Sequence, residues 1–157
     1  MKERSIRQTK EFMRRFLTTE LFDEWLLGEA MITGAVTWTV DGRVNRAYYG
    51  EDADAEAPGS VHMPWAQIRP IVLSLIRGKH TPLSFRFLLY PPEDPGNPAS
   101  GSSDLKRVCR IRFHEGHILI ASAVDLKTFT MDKEPERAWD EELSRFLDTH
   151  SLDFEEP

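Results

Sequence analysis

The sequence predicts an α+β protein with a mainly antiparallel sheet of about five to six strands and helices packed on one face. Apolar residues recur at helical spacing near the start, in the middle and near the end of the 157-residue chain. Between those segments, apolar and polar residues alternate, as in strands that bury one side. Turn residues separate neighbouring strands by a few positions, which favours antiparallel pairing. We expect the helices to cover one face of the sheet and leave the other open.

Three segments have the periodicity of a helix: residues 5–25, 64–77 and about 135–147. The Thr18-Thr19-Glu20 stretch is expected to break the first segment, because threonine favours helix ends over interiors. Pro70 predicts either a kink in the second helix or a new helix that begins there.

Three stretches have the alternation of strands. In the first, Ile32, Val36, Trp38 and Val40 face one side, and threonines face the other. The Asp41–Gly42 pair predicts a hairpin turn after it, with a three-residue loop. The stretches LSFRFLLY (83–90) and VCRIRFHEGHILIA (108–121) follow, and a further strand is expected at about 127–131.

Three polar stretches are expected to be flexible: the acidic loop 51–60, the proline-rich loop 91–104 and the acidic tail 151–157. The acidic loop has carboxylates at a spacing similar to that of a calcium loop. Ala57, however, stands where the sharp turn of such a loop requires glycine. We therefore predict a single domain over residues 1–157 with solvated loops.

Composition limits the class of protein. The net charge of −6 argues against generic nucleic-acid binding, which needs a basic surface. Cys109 is the only cysteine, so no intrachain disulfide can form and a reducing compartment is expected. No apolar run reaches the roughly 18 residues of a membrane span, and the N-terminus lacks the apolar core of a signal peptide. We expect a cytoplasmic protein that binds neither membrane nor nucleic acid.

The hairpin at 108–121 has the strongest chemical signal of the chain, since it contains the only cysteine and two of the five histidines. A two-residue turn at Glu115–Gly116 places His114 beside His117, close enough to share a metal ion. Two ligands at an exposed tip make half a zinc site, so we predict no metal and no other cofactor. The same register turns Cys109 towards the core, which argues against a nucleophilic role.

The opposite side of the sheet is the candidate binding surface. We expect it to present Arg86, Arg110 and Arg112, with Thr37 and Thr128 as hydrogen-bonding neighbours. A solvated face built of threonine and long charged side chains is the simpler alternative. The leading prediction is a non-enzymatic binding protein whose partner is an unknown protein or a small anionic ligand, with a homodimer through this face or a sheet edge as a variant.

The alternative is a small hydrolase or transferase that acts on an anionic substrate near the 114–117 turn. Its cleft would lie between the sheet and the 91–104 loop, and would use His114 and His117 with Glu29 or Asp125 as the carboxylate. The sequence identifies no other catalytic residue.

Four segments together resemble a family of small uncharacterised proteins of unknown function from anaerobic clostridial bacteria. They are LLGEAMITGAVTWTVDGR, WAQIRPIVLSLIRGKHTPLSF, DLKTFTMDK and AWDEELSRFL. The resemblance extends over nearly the whole chain and implies a free-standing single-domain protein of the bacterial cytoplasm. No activity, cofactor or catalytic residue comes with that family, so the resemblance assigns no role to any residue.

Overall fold

The computed structural model describes residues 2–93, 105–126 and 131–156. The strands in these residues are β1 (Lys2–Ile6), β2 (Leu26–Thr33), β3 (Thr37–Asp41), β4 (Met63–Pro64), β5 (Ser84–Tyr90), β6 (Leu105–His114), β7 (His117–Leu126) and β8 (Phe154–Glu155). The helices are α1 (Thr9–Thr18), α2 (Ala53–Glu56), α3 (Trp65–Ile76) and α4 (Glu134–Thr149), with a 3₁₀ segment at Arg46–Asp52. The α+β class is confirmed.

All strand pairs of the described sheet are antiparallel, in the order β3-β2-β5-β6-β7-β1-β8, with β4 also paired to β2. The sheet therefore has eight strands in the described residues, more than the five to six predicted. The additional strands are short or lie at the chain ends, where few residues are available to show alternation.

The β6–β7 hairpin has the predicted register. Phe113 lies opposite Ile118, and Cys109 lies opposite Ser122. The turn residues Glu115 and Gly116 have φ angles of 52° and 81°. Positive φ at both central residues defines the type I′ turn that suits a two-residue hairpin.

One side of the sheet packs against α1, α3 and α4 and forms the core, as predicted. The aromatic centre of this core joins helices to strands, since the rings of Phe16 and Trp65 stack at 4.4 Å and Phe87 packs edge-on against both. The Trp139 indole of α4 donates to the Val108 carbonyl at 2.9 Å. We call the sheet side that faces away from these helices the open face.

The predicted helix at 5–25 is wrong at both of its ends. Residues Lys2–Ile6 form β1 and pair with β7, and α1 begins only at Thr9. Alternation in β1 was hidden because the residue that points into the core next to Ile6 is a charged one, Arg4. The helix ends at Thr18, where the sequence predicted a break, but no second helical piece follows, because residues 19–25 form bends and turns that lead into β2.

The predicted hairpin at Asp41–Gly42 is also wrong. The turn lies at residues 34–36, so that Thr33 pairs with Thr37. Gly42 is needed for a different reason, because a Cβ there would lie 1.9 Å from the Leu27 carbonyl oxygen. Trp38 is 49% exposed, because β3 is an edge strand that the helices cover only in part.

The second and third predicted helices are confirmed. α3 runs through Pro70 without ending, so no new helix begins at that residue. The acidic loop 51–60 contains the end of the 3₁₀ segment and the short helix α2. The tail is not loose throughout, because Phe154 and Glu155 pair with β1. Residues 94–104 of the proline-rich loop and 127–130 of the last predicted strand lie outside the described residues.

Candidate functional site: the open face of the sheet

Strand register brings three arginines together in the middle of the open face. Arg86 of β5 lies directly opposite Arg112 of β6, and Arg110 lies opposite Leu88. Side chains directly opposite on antiparallel strands have Cβ atoms about 5 Å apart, and diagonal neighbours about 7–8 Å. The three guanidinium groups therefore belong to one cluster, as the sequence predicted.

Carboxylates lie on both flanks of this cluster. Glu29 of β2 lies opposite Leu88, and Glu3 of β1 lies opposite Ala121. Glu3 reaches across β7 and accepts a hydrogen bond from the Arg112 guanidinium at 2.9 Å. Among the described residues, no carboxylate pairs with Arg86 or Arg110. The centre of the open face thus has three arginines against two flanking carboxylates, and within the described residues only Arg112 of the three is in an ion pair.

The arginines line two adjoining depressions. One, of about 480 Å³, lies around Arg110 and is flanked by Glu3 and Glu29. The other, of about 600 Å³, extends from Arg86 and Arg112 towards the 114–117 turn. The apolar residues in their walls include Met31, Leu88, Leu119 and Ala121. Depressions of this size match small-molecule sites, which combine apolar walls with a few charged groups.

The predicted threonine neighbours lie at the margin or outside the described chain. Thr37 is on the edge strand, where its hydroxyl donates to the Thr33 hydroxyl at 3.5 Å. Thr33 pairs with Ser84, so Thr37 is two strand spacings, or about 10 Å, away from β5. Thr128 lies outside the described residues.

The residues of the hydrolase or transferase alternative do not come together. His114 and His117 are a cross-strand pair, and the His114 side chain is 74% exposed. Glu29 lies opposite Leu88, four residues or about 13 Å along β5 from Ser84, the partner of His114. Asp125 lies eight residues or about 27 Å along β7 from His117.

The loop of that alternative is also attached at the wrong end of the sheet. It leaves β5 after Tyr90 and enters β6 at Leu105, whereas the histidines lie at the opposite end of β6. The nearest carboxylate to His114 in the described residues is its neighbour Glu115, 3.6 Å away and 80% exposed. No group of three or more His, Cys, Asp or Glu in the described residues is arranged to hold a metal ion.

Cys109 lies on the core side of β6, as predicted, and is fully buried. Burial raises the pKa of its thiol to about 12, so the group stays protonated and unreactive at neutral pH.

A second polar cluster at the other end of the open face was not predicted. The Lys106 ammonium lies 3.8 Å from the centroid of the Tyr90 ring, and the His62 ring lies 4.9 Å from it. Burial is the largest cause that lowers the pKa of His62, and the positive charges of Lys106 and Arg43 lower it further. The imidazole is therefore neutral at pH 7. Gly28 makes room for this cluster, since a Cβ there would lie 2.9 Å from the Tyr90 hydroxyl.

Fold and site together define an α+β protein with one helix-covered sheet face and one open, arginine-lined face. The model of a family of unknown function, DUF5721, matches residues 15–155, so the chain belongs to that family. No curated protein and no solved structure matches the chain. Within the described residues, every helix is too short or too polar to cross a bilayer. The clostridial origin, the cytoplasmic location and the single-domain organisation stay predictions.

Proposed function

We propose that the protein is a non-enzymatic binding protein whose open face receives an anionic group of a partner protein or small ligand. The observation that supports this most directly is the placement of Arg86 opposite Arg112 with Arg110 diagonal to it. Like charges directly opposite on neighbouring strands destabilise a sheet. An arrangement that costs stability in the free protein is explained if a bound anion compensates it.

The chemistry of the cluster favours carboxylate or phosphate. A guanidinium group offers five N–H donors in a planar fork that matches both anions. Arg112 already donates one hydrogen bond to a carboxylate, that of Glu3. The apolar walls formed by Met31, Leu88 and Leu119 favour a ligand that also has an apolar portion.

A homodimer that packs the two arginine clusters directly on each other does not fit this surface. A two-fold axis through the centre of the open face would place arginine against arginine. Like-charge contact across an interface costs several kcal/mol. The occupant of the arginine cluster is therefore an acidic group from elsewhere.

Anion binding can be measured with citrate as a carboxylate probe and inorganic phosphate as the second probe. We expect either probe to stabilise the wild-type protein against thermal unfolding, by about 2.7 kcal/mol at 100 times its Kd. The double variant Arg86→Gln/Arg110→Gln should lose this stabilisation. A matched variant, Arg77→Gln/Arg145→Gln, neutralises two exposed arginines at the end of α3 and on α4 and should keep it.

The result that contradicts the proposal is equal stabilisation, or none, in all three proteins. It would make the open face an ordinary solvated surface. Native mass spectrometry of protein purified from its own host adds the identity of a retained anion or partner.

A further inference from the structure

Residues 45–61 form an arm that protrudes from the sheet. Its neck is closed by a hydrogen bond from the Val44 amide to the Val61 carbonyl at 2.9 Å and by the bridge between Arg43 and His62. The 3₁₀ segment and α2 lie within the arm, and neither has a buried residue. Such a segment has regular structure without contributing to the core, which is typical of a surface that contacts something else.

The arm is acidic and has an exposed aromatic residue. It contains four exposed carboxylates against a single arginine, Arg46, which already pairs with Asp54 at 3.0 Å. The four carboxylates belong to Glu51, Asp52, Asp54 and Glu56. Tyr48 is 85% exposed and packs only edge-on against Tyr49, with ring centroids 5.3 Å apart. Exposed tyrosines within a charged surface are common anchors of protein interfaces.

We propose that the arm of one copy docks on the open face of a second copy, and that each copy of the dimer provides both surfaces. This inference rests on the proposed function and names its anionic occupant. The carboxylates of the arm meet Arg86, Arg110 and Arg112, and Tyr48 packs against the apolar wall formed by Met31 and Leu88. The arm is acidic and the centre of the open face is basic, so this contact avoids the repulsion that a dimer with its two open faces in contact would have.

The position of the arm suits a reciprocal exchange. Its neck follows β3 at one edge of the sheet, and His62 packs on Tyr90, whose side chain lies on the open face. The arm therefore leaves the molecule at a corner of the same face that has the arginines. A two-fold axis beside this corner lets each arm cross onto the other copy, which gives a closed dimer with two identical contacts.

Charge reversal on each surface, followed by mixing, tests the exchange. One variant reverses the arm (Glu51→Arg/Asp52→Arg), and the other reverses the open face (Arg86→Glu/Arg110→Glu). Native mass spectrometry at tens of micromolar protein should show a dimer for the wild type and monomers for each variant. An equimolar mixture of the variants should form a heterodimer, because one of its contacts has the wild-type charges and the other has both charges reversed.

Two control variants on α4, Glu141→Arg and Arg145→Glu, reverse one charge of each sign away from both surfaces and should leave the dimer intact. A monomeric wild type, variants that remain dimeric, or a mixture without heterodimer would each overturn the exchange. Citrate binding separates the two proposals. If a monomeric wild type binds citrate through Arg86 and Arg110, the anion site stands and the arm is not its occupant, whereas failure of both measurements removes both proposals.

Discussion

Arginines on the two faces of the sheet have opposite surroundings. Arg4, on the covered side of β1, is fully buried and donates to the Ser144 and Ser122 hydroxyls and to the Lys2 and Asp140 carbonyls. Arg86 and Arg110, on the open face, have no ion-pair partner in the part of the chain that the structure describes. The same residue type thus stabilises the fold on one side and adds uncompensated charge on the other.

Arg107 repeats the pattern of the covered side. It donates to both carboxylate oxygens of Glu142 at 2.7 Å and to the Pro92 carbonyl at 2.8 Å, and its guanidinium lies 5.3 Å from the Trp139 ring centroid. Arg107 and Arg110 lie three residues apart on β6 and point to opposite sides of the sheet, and of the two only Arg107 contacts a helix through an ion pair in the described residues. Side-chain direction, rather than residue type, separates a structural arginine from a candidate binding one.

The largest expected effect is on the covered side. Arg4→Ala leaves the buried Ser122 hydroxyl and the part-buried Asp140 carbonyl without the donor that Arg4 provides. We expect the free energy of unfolding to fall by about 2–5 kcal/mol in urea titrations, since each buried acceptor left unsatisfied costs about 1–3 kcal/mol. Arg7→Ala, near the same strand but in an exposed ion pair with Glu155, should change it by no more than about 0.5 kcal/mol. Similar losses in the two variants would contradict the structural role of Arg4.

The neck of the arm, at the β3 edge of the sheet, depends on a close approach between the backbones of Gly42 and Leu27. Gly42→Ala places a methyl group 1.9 Å from the Leu27 carbonyl oxygen, so the neck of the arm must move. We expect a loss of about 1–3 kcal/mol in the free energy of unfolding, the usual cost of overpacking. Gly34→Ala meets no atom within 4 Å and is the control. An unaffected Gly42→Ala would show that the neck can shift freely.

Cys109 gives the covered side a dependence on pH. Its thiol pKa is raised by burial from 9.0 to about 12, so the unfolded chain releases the proton first. The stability that the buried neutral thiol contributes is complete below about pH 9 and is lost as the pH rises towards 12. At pH 10 the loss should be about 1.4 kcal/mol.

This loss is measured as the change in the difference between wild type and Cys109→Ala from neutral pH to pH 10. An unchanged difference would mean that the thiol ionises as readily in the folded chain as in the unfolded one.

The sequence predicted the β6–β7 hairpin and its two faces correctly, because the Glu-Gly turn and the alternation are local signals. It failed at β1, where the inward residue Arg4 finds its partners on α4 and β7, far away in the chain. It failed at Asp41–Gly42, because glycine has two different uses. A hairpin turn favours glycine, but here glycine is required by the close approach of the Leu27 carbonyl. The position of the arginine cluster followed from the alternation of side chains along each strand. The regular structure of the arm and the cluster around Tyr90 depend on contacts between segments that are far apart in the chain, which no local pattern shows.

The central claim is that the arginines of the open face contribute to binding rather than to the stability of the fold. The smallest of the expected effects tests this claim most directly. Arg86→Gln removes the charge opposite Arg112 but keeps a long polar side chain. In low salt, and at a protein concentration too low for the proposed dimer to form, urea unfolding should show a gain of about 0.2–1 kcal/mol in the free energy of unfolding over the wild type. The gain should shrink in about 1 M salt, where charges are screened beyond ~3 Å. A loss of stability in low salt would contradict the account, because it would show that Arg86 stabilises the free fold.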